Sequence, residues 1–367
     1  MQAGVVCPEC AEEGWPRRHL DAELSAMLGR RLAELGFLGD DRAPFDDVLG
    51  RLVRGPGKRL RPAFVYWGYR AAGGTGAGPG VSAALRVGCA VEFLHACALI
   101  CDDLMDGSTV RRWAPAAHVA LAGTHARQGW HGDPGRFGQA AALALGLQAF
   151  TWADSAICDA GLPPGVLPGV LRVFAVLRTE VIGGQYLDLV QACRGGADRA
   201  AARRIAQYKS ARYTVERPLQ LGAAVAGLPA PDAAGFLSGY GLPLGEAFQL
   251  RDDILGVFGD PAETGKPTGE DIREGKQTLL LVLARELAGP AERRAIDLAA
   301  GHPGASDSEV MGARKALAGC GALDAVEREI SRLTGQARAA VAAEPGLPPA
   351  ARSALLGLAA ETTRRGR

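Results

Sequence analysis

The sequence predicts an all-α protein. Apolar residues recur at helical spacing along the chain, no stretch alternates apolar and polar residues over a useful strand length, and no repeat or linker divides the 367 residues. With 48% apolar residues the chain can bury a large core. The expected architecture is one large helical bundle over 18–367 around a deep apolar cavity, preceded by an irregular, flexible segment 1–17.

The elements follow in order. A helix over 19–38 carries Leu20, Leu24, Leu28 and Leu32 on one face. A shorter helix spans 44–53. GPGKRLRP (55–62) then turns the chain into a helix running to Tyr69, with Pro62 suited to its first turn. Lys58, Arg59 and Arg61 gather at that helix N-terminus, where an anion is favoured; a solvated basic turn is the alternative reading. After a loop at 73–80, a helix ends in the acidic run at 102–106. A Gly-rich loop (123–136) precedes long apolar helices over 137–158 and 168–192. One helix is expected over 205–226 and another over 233–258. A Gly-, Asp- and Pro-rich loop covers 259–275, and three or four helices close the chain.

The stretch 87–112, VGCAVEFLHACALICDDLMDGSTVRR, organises the rest. Asp102 and Asp106 lie one helical turn apart, with Asp103 beside them. Such carboxylates repel by about 1 kcal/mol per pair in water, and by several times that in a cleft. They also sit at the helix end where the dipole disfavours them. A fold that keeps them there supplies cations. A helix end running into solvent is the alternative, and the apolar residues before it argue against that.

Composition narrows the class. The net charge of +1 gives no bulk attraction to nucleic acid or an anionic membrane. No signal peptide and no uninterrupted apolar run of membrane-spanning length is evident, so a soluble, cytoplasmic protein without stable membrane insertion is expected. Cys89, Cys97, Cys101, Cys158 and Cys193 fall in apolar helical patterns and read as buried free thiols. Cys7 and Cys10 form one CxxC, short of the four ligands of a structural zinc site. Of 41 basic residues only five are lysines: Lys58, Lys209, Lys266, Lys276 and Lys315. The first four lie in Gly-, Pro- or Asp-rich motifs, where a compact charge suits a phosphate.

A second acidic pair, Asp252 and Asp253, ends the helix over 233–258. Both pairs follow long apolar helices and precede loops. If the helices run near-parallel, the pairs share one mouth above an apolar channel. Carboxylates, hard cations and Lys/Arg around a cavity describe a polyphosphate site, and the channel suits a hydrocarbon tail.

GKRLRP (57–62), DDLMD with RR (102–106, 111–112), GGQYLD (183–188), KSARYT (209–214) and FQLRDDILGVFGD with two following GK pairs (248–276) occur in this order. In them the chain resembles the trans-isoprenyl diphosphate synthases, over roughly 20–360. The resemblance implies the isoprenoid synthase bundle and a prenyltransferase that condenses isopentenyl diphosphate with dimethylallyl, geranyl or farnesyl diphosphate. It implies three Mg²⁺ ions on Asp102, Asp106 and Asp252. Arg111, Lys209 and Lys266 would grip the allylic diphosphate. Lys58, Arg61, His95 and Arg112 would hold isopentenyl diphosphate, with Lys276 assisting there or at the loop. Gln185, Ser210 and Gln249 would line the reacting centre, and Asp103 joins the catalytic group. A homodimer through central helices is also implied. By itself His95 also reads as a core histidine that needs one hydrogen-bond partner, but its place two turns before the aspartates favours the ligand-binding reading.

Some positions depart from the family pattern. Leu147 stands where Asp is common, Ser210 where Thr is usual, Gly256 at the third acidic position of the second motif, and Cys101 where His is frequent. None removes an implied metal ligand. Ala98 and Cys97, about one turn before Asp102, are small where aromatic residues would stop chain growth; Leu94 and Phe93 lie a turn further. A geranylgeranyl (C20) product is expected, with a longer polyprenyl diphosphate as the alternative. A diverged terpene cyclase, or a non-catalytic partner subunit, are the readings from other classes.

Overall fold

A computed structural model describes residues 14–55, 57–196, 198–228, 230–260 and 269–363. Residues 1–13, with Cys7 and Cys10, lie outside the described residues, as does Lys266. The order is α1 (Arg17–Glu34), a 3₁₀ stretch (Leu35–Arg42), α2 (Ala43–Arg54), α3 (Leu60–Ala71), α4 (Pro79–Asp106), a hairpin of β1 (Val110–Arg111) and β2 (Ala114–Pro115), α5 (Ala117–Gln128), α6 (Pro134–Cys158), α7 (Leu167–Arg194), α8 (Arg199–Ile205), a π-helical segment (Ala206–Glu216), α9 (Arg217–Val225), α10 (Ala230–Phe258), α11 (Glu270–Arg273), α12 (Leu279–Leu287), α13 (Pro290–Ala299), α14 (Asp307–Gly319), α15 (Ala322–Ala343) and α16 (Pro349–Thr363). The chain forms two compact units, 1–173 with 218–233, and 174–217 with 234–367.

In the first unit α1 buries Leu20, Leu24, Leu28 and Leu32, the face read from the sequence. α4 begins at Pro79, about two turns before the Val87 start that the apolar pattern suggested, and runs 28 residues, about 42 Å. α4 and α6 are both long and apolar enough to cross a membrane by length and composition. In α4 67% of the most apolar window is buried, so its apolarity serves the core; in α6 only 44% is buried. Trp15 packs on Tyr66, with ring centroids 5.5 Å apart. Two glycines let α3 and α9 touch backbone to backbone. A Cβ on Gly68 would lie 2.1 Å from the Leu219 carbonyl oxygen, and one on Gly222 would lie 1.9 Å from that of Val65.

The expected loop at 123–136 is mostly helix. α5 runs to Gln128, and Gly129 ends it in the left-handed conformation (φ 62°). The glycines there mark a helix end, not a long loop.

In the second unit Leu250, Ile254, Leu280, Ile296, Leu317 and Ile330 lie in one core cluster. Tyr240 is fully buried and donates its hydroxyl to the Leu355 carbonyl at 2.7 Å. The single helix expected over 205–226 is three pieces, with the π-helical segment between α8 and α9. Cys89 is buried as expected and Cys97 and Cys101 are half-buried, but Cys158 and Cys193 are exposed, because both lie in last turns of their helices.

Overpacking costs about 1–3 kcal/mol where side chains can yield, and the backbone facing Gly222 cannot. Gly222→Ala is expected to destabilise the chain by about 3 kcal/mol or more. Gly335→Ala, with nothing near the new methyl, is expected to be neutral or stabilising by up to about 1 kcal/mol. Urea unfolding midpoints of the two variants check both.

Candidate active site

Asp102, Asp103 and Asp106 occupy the last turn of α4, which Gly107 closes in the left-handed conformation (φ 69°). Arg111 answers their charge. Its Nε donates to Asp103 Oδ1 and Oδ2 at 2.9 and 3.1 Å, and its Nη2 donates to Asp102 Oδ2 at 3.1 Å and to Asp103 Oδ1. Asp103 is only 2% exposed. Expected among the catalytic carboxylates, it is the buried counter-ion of Arg111, while Asp102 and Asp106 keep partial exposure. The hairpin that carries Arg111 turns at Arg112 and Trp113, both at positive φ (53° and 61°). Paired left-handed residues suit the twist of a two-residue hairpin, at a strain normally avoided by using Asn and Gly.

The basic loop before α3 sends its three cations different ways. Arg59, itself at φ 51°, turns inward. It bonds Asp21 at 2.9 Å, Glu92 at 2.6 Å and the carbonyls of Val53 and Gly55 at 2.8 and 3.3 Å. Lys58 is exposed and Arg61 half-buried. Arg61 Nη1 lies 3.3 Å from His95 Nε2. A guanidinium only donates, so His95 Nε2 accepts and the imidazole proton sits on Nδ1. Burial holds the His95 pKa well below its ordinary value, and the guanidiniums of Arg61, Arg112, Arg111 and Arg59 add to that. Arg112 donates to the Leu52 carbonyl at 3.3 Å. Its own pKa is lowered, by burial first and then by the neighbouring arginines. A Cβ on Gly57 would lie 3.7 Å from Arg112 Nη2. Lys58, Arg61, His95 and Arg112 thus belong to one positively charged corner of this unit, suited to a diphosphate.

In the second unit the glycines of the motifs are contact points. A Cβ on Gly184 would lie 2.3 Å from the Lys209 nitrogen, and one on Gly245 would lie 2.5 Å from the Ala211 carbonyl oxygen. α7 and α10 therefore press directly on the π-helical segment. One turn beyond Gly184, Asp188 accepts from Lys209 Nζ at 2.6 Å. Gln185 Nε2 is buried with no partner among the described residues, and Ser210 is half-buried. Asp252 is exposed. Asp253 is buried and accepts from Gln249 Nε2 at 2.7 Å. Burial pushes its pKa up to about 8, with the Asp271 and Asp252 carboxylates adding to the push and Gln249 opposing it.

The sequence reading missed Asp271. A Cβ on Gly256 would lie 1.7 Å from Asp271 Oδ2, so Asp271 fills the space where a third motif carboxylate would project. Lys276 binds it at 3.0 Å and Glu274 at 2.7 Å. The signal was the EDIREGK run, acidic residues a turn before a motif lysine.

On α4 before Asp102, Cys97 and Ala98 are half-buried, whereas Leu94 and Phe93 are sealed in the core. Phe93 packs edge-to-face on Trp152 with centroids 6.0 Å apart. As for a metal, Asp102 and Asp106 offer oxygen donors one turn apart, and no cage of three or more His, Cys, Asp or Glu occurs among the described residues. That set fits Mg²⁺, which takes one or two carboxylates, waters and substrate phosphates; it does not fit a four-ligand structural zinc.

Comparison with known proteins agrees with this chemistry. The pattern of the polyprenyl synthetase family matches residues 43–317. Geranylfarnesyl diphosphate synthase of Aeropyrum pernix is 31% identical over 276 residues, 75% of this chain and 80% of that one. Octaprenyl diphosphate synthase of Escherichia coli is 29% identical over 347 residues, 94% and 98% of the two chains. A crystal structure of geranylgeranyl pyrophosphate synthase from Corynebacterium glutamicum, complexed with isoprenyl diphosphate and magnesium, is 36% identical, with a TM-score of 0.86 over 95% of this chain and 99% of that one. The all-α isoprenoid synthase fold expected from the sequence is borne out.

Asp253 gives a test by pH. Folded, its carboxyl keeps a proton to about pH 8; unfolded, it loses it near about pH 4. The folded chain therefore holds one more proton across that window, and this group's share of stability falls as pH rises from about 4 to about 8, then levels. Asp253→Asn is expected to flatten the dependence. Denaturant titrations with a metal chelator present, at pH 5 to 9 as set values, measure it for both proteins.

Proposed function

The chain belongs to the polyprenyl synthetase family and is a trans-prenyltransferase, and from that premise we propose that it joins isopentenyl diphosphate to an allylic diphosphate with Mg²⁺, giving geranylgeranyl diphosphate. The observation that carries this reading is the end of α4. There Asp106 and the Arg111-bonded Asp102 share one compact unit with the cationic corner of Lys58, Arg61, His95 and Arg112.

Asp102, Asp106 and Asp252 are the proposed magnesium ligands, and three ions are the proposed number. Bound magnesium supplies positive charge that favours departure of the allylic pyrophosphate. Arg111, Lys209 and Lys266 act on that same leaving group, more strongly as its charge develops. Lys58, Arg61 and Arg112 hold isopentenyl diphosphate so that its double bond attacks the allylic carbon. Gln185, Ser210 and Gln249 line the reacting centre, and Lys276 orders the acidic loop through Asp271. His95 Nε2 is engaged with Arg61, so the proton lost at the end goes to pyrophosphate rather than to this imidazole. Apolar walls keep water from the cation.

Relatives that make different chain lengths are comparably similar, so product length rests on this chain's own wall. Cys97 and Ala98 are small and half-buried a turn before Asp102, and Phe93 packs on Trp152 in the core. A homodimer is proposed through α6, whose outer face exposes Leu143 (51%) and Leu147 (60%) one turn apart. A cytoplasmic location completes the reading.

Assayed with Mg²⁺, isopentenyl diphosphate and farnesyl diphosphate, the purified chain is expected to consume isopentenyl diphosphate and stop mainly at C20. A cyclase would release pyrophosphate without consuming it, and a non-catalytic subunit would do neither. Arg112→Gln removes a charged contact worth about 1.5–3 kcal/mol and is expected to raise KM for isopentenyl diphosphate about 10- to 100-fold. With dimethylallyl diphosphate in place of farnesyl diphosphate, Ala98→Phe is expected to shift products toward C15; an unchanged distribution on chromatography would show that this face does not border the growing chain.

A further inference from the structure

Cys97 and Cys101 lie one turn apart on α4, and their Sγ atoms are 4.0 Å apart. Both residues are half-buried. Gly146 of α6 faces the second: a Cβ there would lie 3.4 Å from Cys101 Sγ, so the glycine spares the sulfur a side chain from that position. Metal–sulfur bonds of about 2.3 Å at a tetrahedral angle put two thiolates about 3.8 Å apart. The pair is therefore already spaced to share one ion. A disulfide fits less well. Cβ atoms four residues apart on a helix are about 5–6 Å from each other, and a disulfide needs about 3.5–4.5 Å. Ligand softness separates this site from its neighbours, because thiolates select zinc-group ions while the Asp102 and Asp106 oxygens select magnesium.

We propose that Cys97 and Cys101 form a two-thiol chelate for a thiophilic divalent cation of the zinc group, and that its occupation closes the wall beside Ala98 and shortens the product. Each thiol yields its proton to solvent, so one divalent ion bound releases two protons. No third side-chain ligand of the usual kinds joins them among the described residues, so the remaining positions take water and the ion exchanges. The second half of the proposal rests on the prenyltransferase reading; the first does not.

Cadmium is the probe. The background is the full chain with Cys7→Ser and Cys10→Ser, which removes the other closely spaced pair. That protein is expected to bind one Cd²⁺ per chain with a thiolate-to-cadmium ultraviolet band. Cys97→Ser and Cys101→Ser are each expected to weaken binding at least tenfold. Cys97→Ala and Cys101→Ala, checked by circular dichroism, repeat the test with apolar replacements should the serine variants unfold. Added Cd²⁺ is expected to shift products to shorter chains in the background protein and not in the Cys101 variants. No band in the background protein, equal binding after both cysteines are replaced, or a Cys97–Cys101 disulfide formed in place of cadmium uptake overturns the chelate. Bound cadmium with unchanged products overturns the wall effect. Absence of the band beside normal consumption of isopentenyl diphosphate removes the chelate alone, and loss of consumption leaves the cadmium band readable.

Discussion

The contact between Arg111 and the carboxylates of Asp102 and Asp103 sets the terms for the site. Three aspartates at the negative end of a helix oppose both one another and the dipole. Without a cation the last turn of α4 would fray and the two outer carboxylates would lose their common face. Arg111 reaches Asp102 and Asp103 only because the chain reverses within a few residues, and that reversal needs Arg112 and Trp113 in the left-handed region. The same strained turn sends Arg112 toward Leu52, beside the loop that carries Lys58 and Arg61. A local charge problem at one helix end is thus solved by a device that also builds the neighbouring anion corner.

The second unit reaches a similar end by packing. Gly184 and Gly245 remove the side chains that would separate α7 and α10 from the π-helical segment. An extra residue within a helical turn re-aims the side chains that follow it. Lys209 lies in that segment and meets Asp188 a turn past Gly184. Gly256 does for the acidic loop what Gly184 does for the lysine, since the room it leaves is taken by Asp271. The glycine at a third acidic position is therefore an exchange of one carboxylate's place for another's, with Lys276 holding the replacement.

Much of this was legible in the sequence where the cue is periodic or local. The apolar face of α1, the acidic end of α4 and the glycine turn before α3 follow from spacing alone. What the sequence hid depends on direction. Lys58, Arg59 and Arg61 read as one basic cluster, yet Arg59 turns into the core to meet Glu92, a residue that in sequence only interrupts an apolar run. Asp103 looked equivalent to its neighbours, but a step of one residue on a helix turns the side chain by about 100°, and here that means into Arg111. The π-helical segment left no trace because its apolar spacing resembles that of an ordinary helix. Glycines around 123–136 suggested a loop where one of them only caps α5.

The scarcity of lysine gains a physical sense from these placements. Arg59 is held by two carboxylates and two carbonyls, a fork fixed in a wall, and Arg111 grips two carboxylates at once. Both are jobs for a planar group with several donors in fixed directions. Lys58 is exposed on a glycine turn, and Lys209 and Lys276 each stand against carboxylates while keeping partial exposure. A lysine ammonium on a flexible stem can leave a carboxylate for a phosphate a few ångströms away, which a clamped guanidinium cannot do without dismantling its surroundings. Arginine therefore fixes the shape of the first unit around the acidic end of α4, and lysine is kept where the charge has to move when substrate arrives.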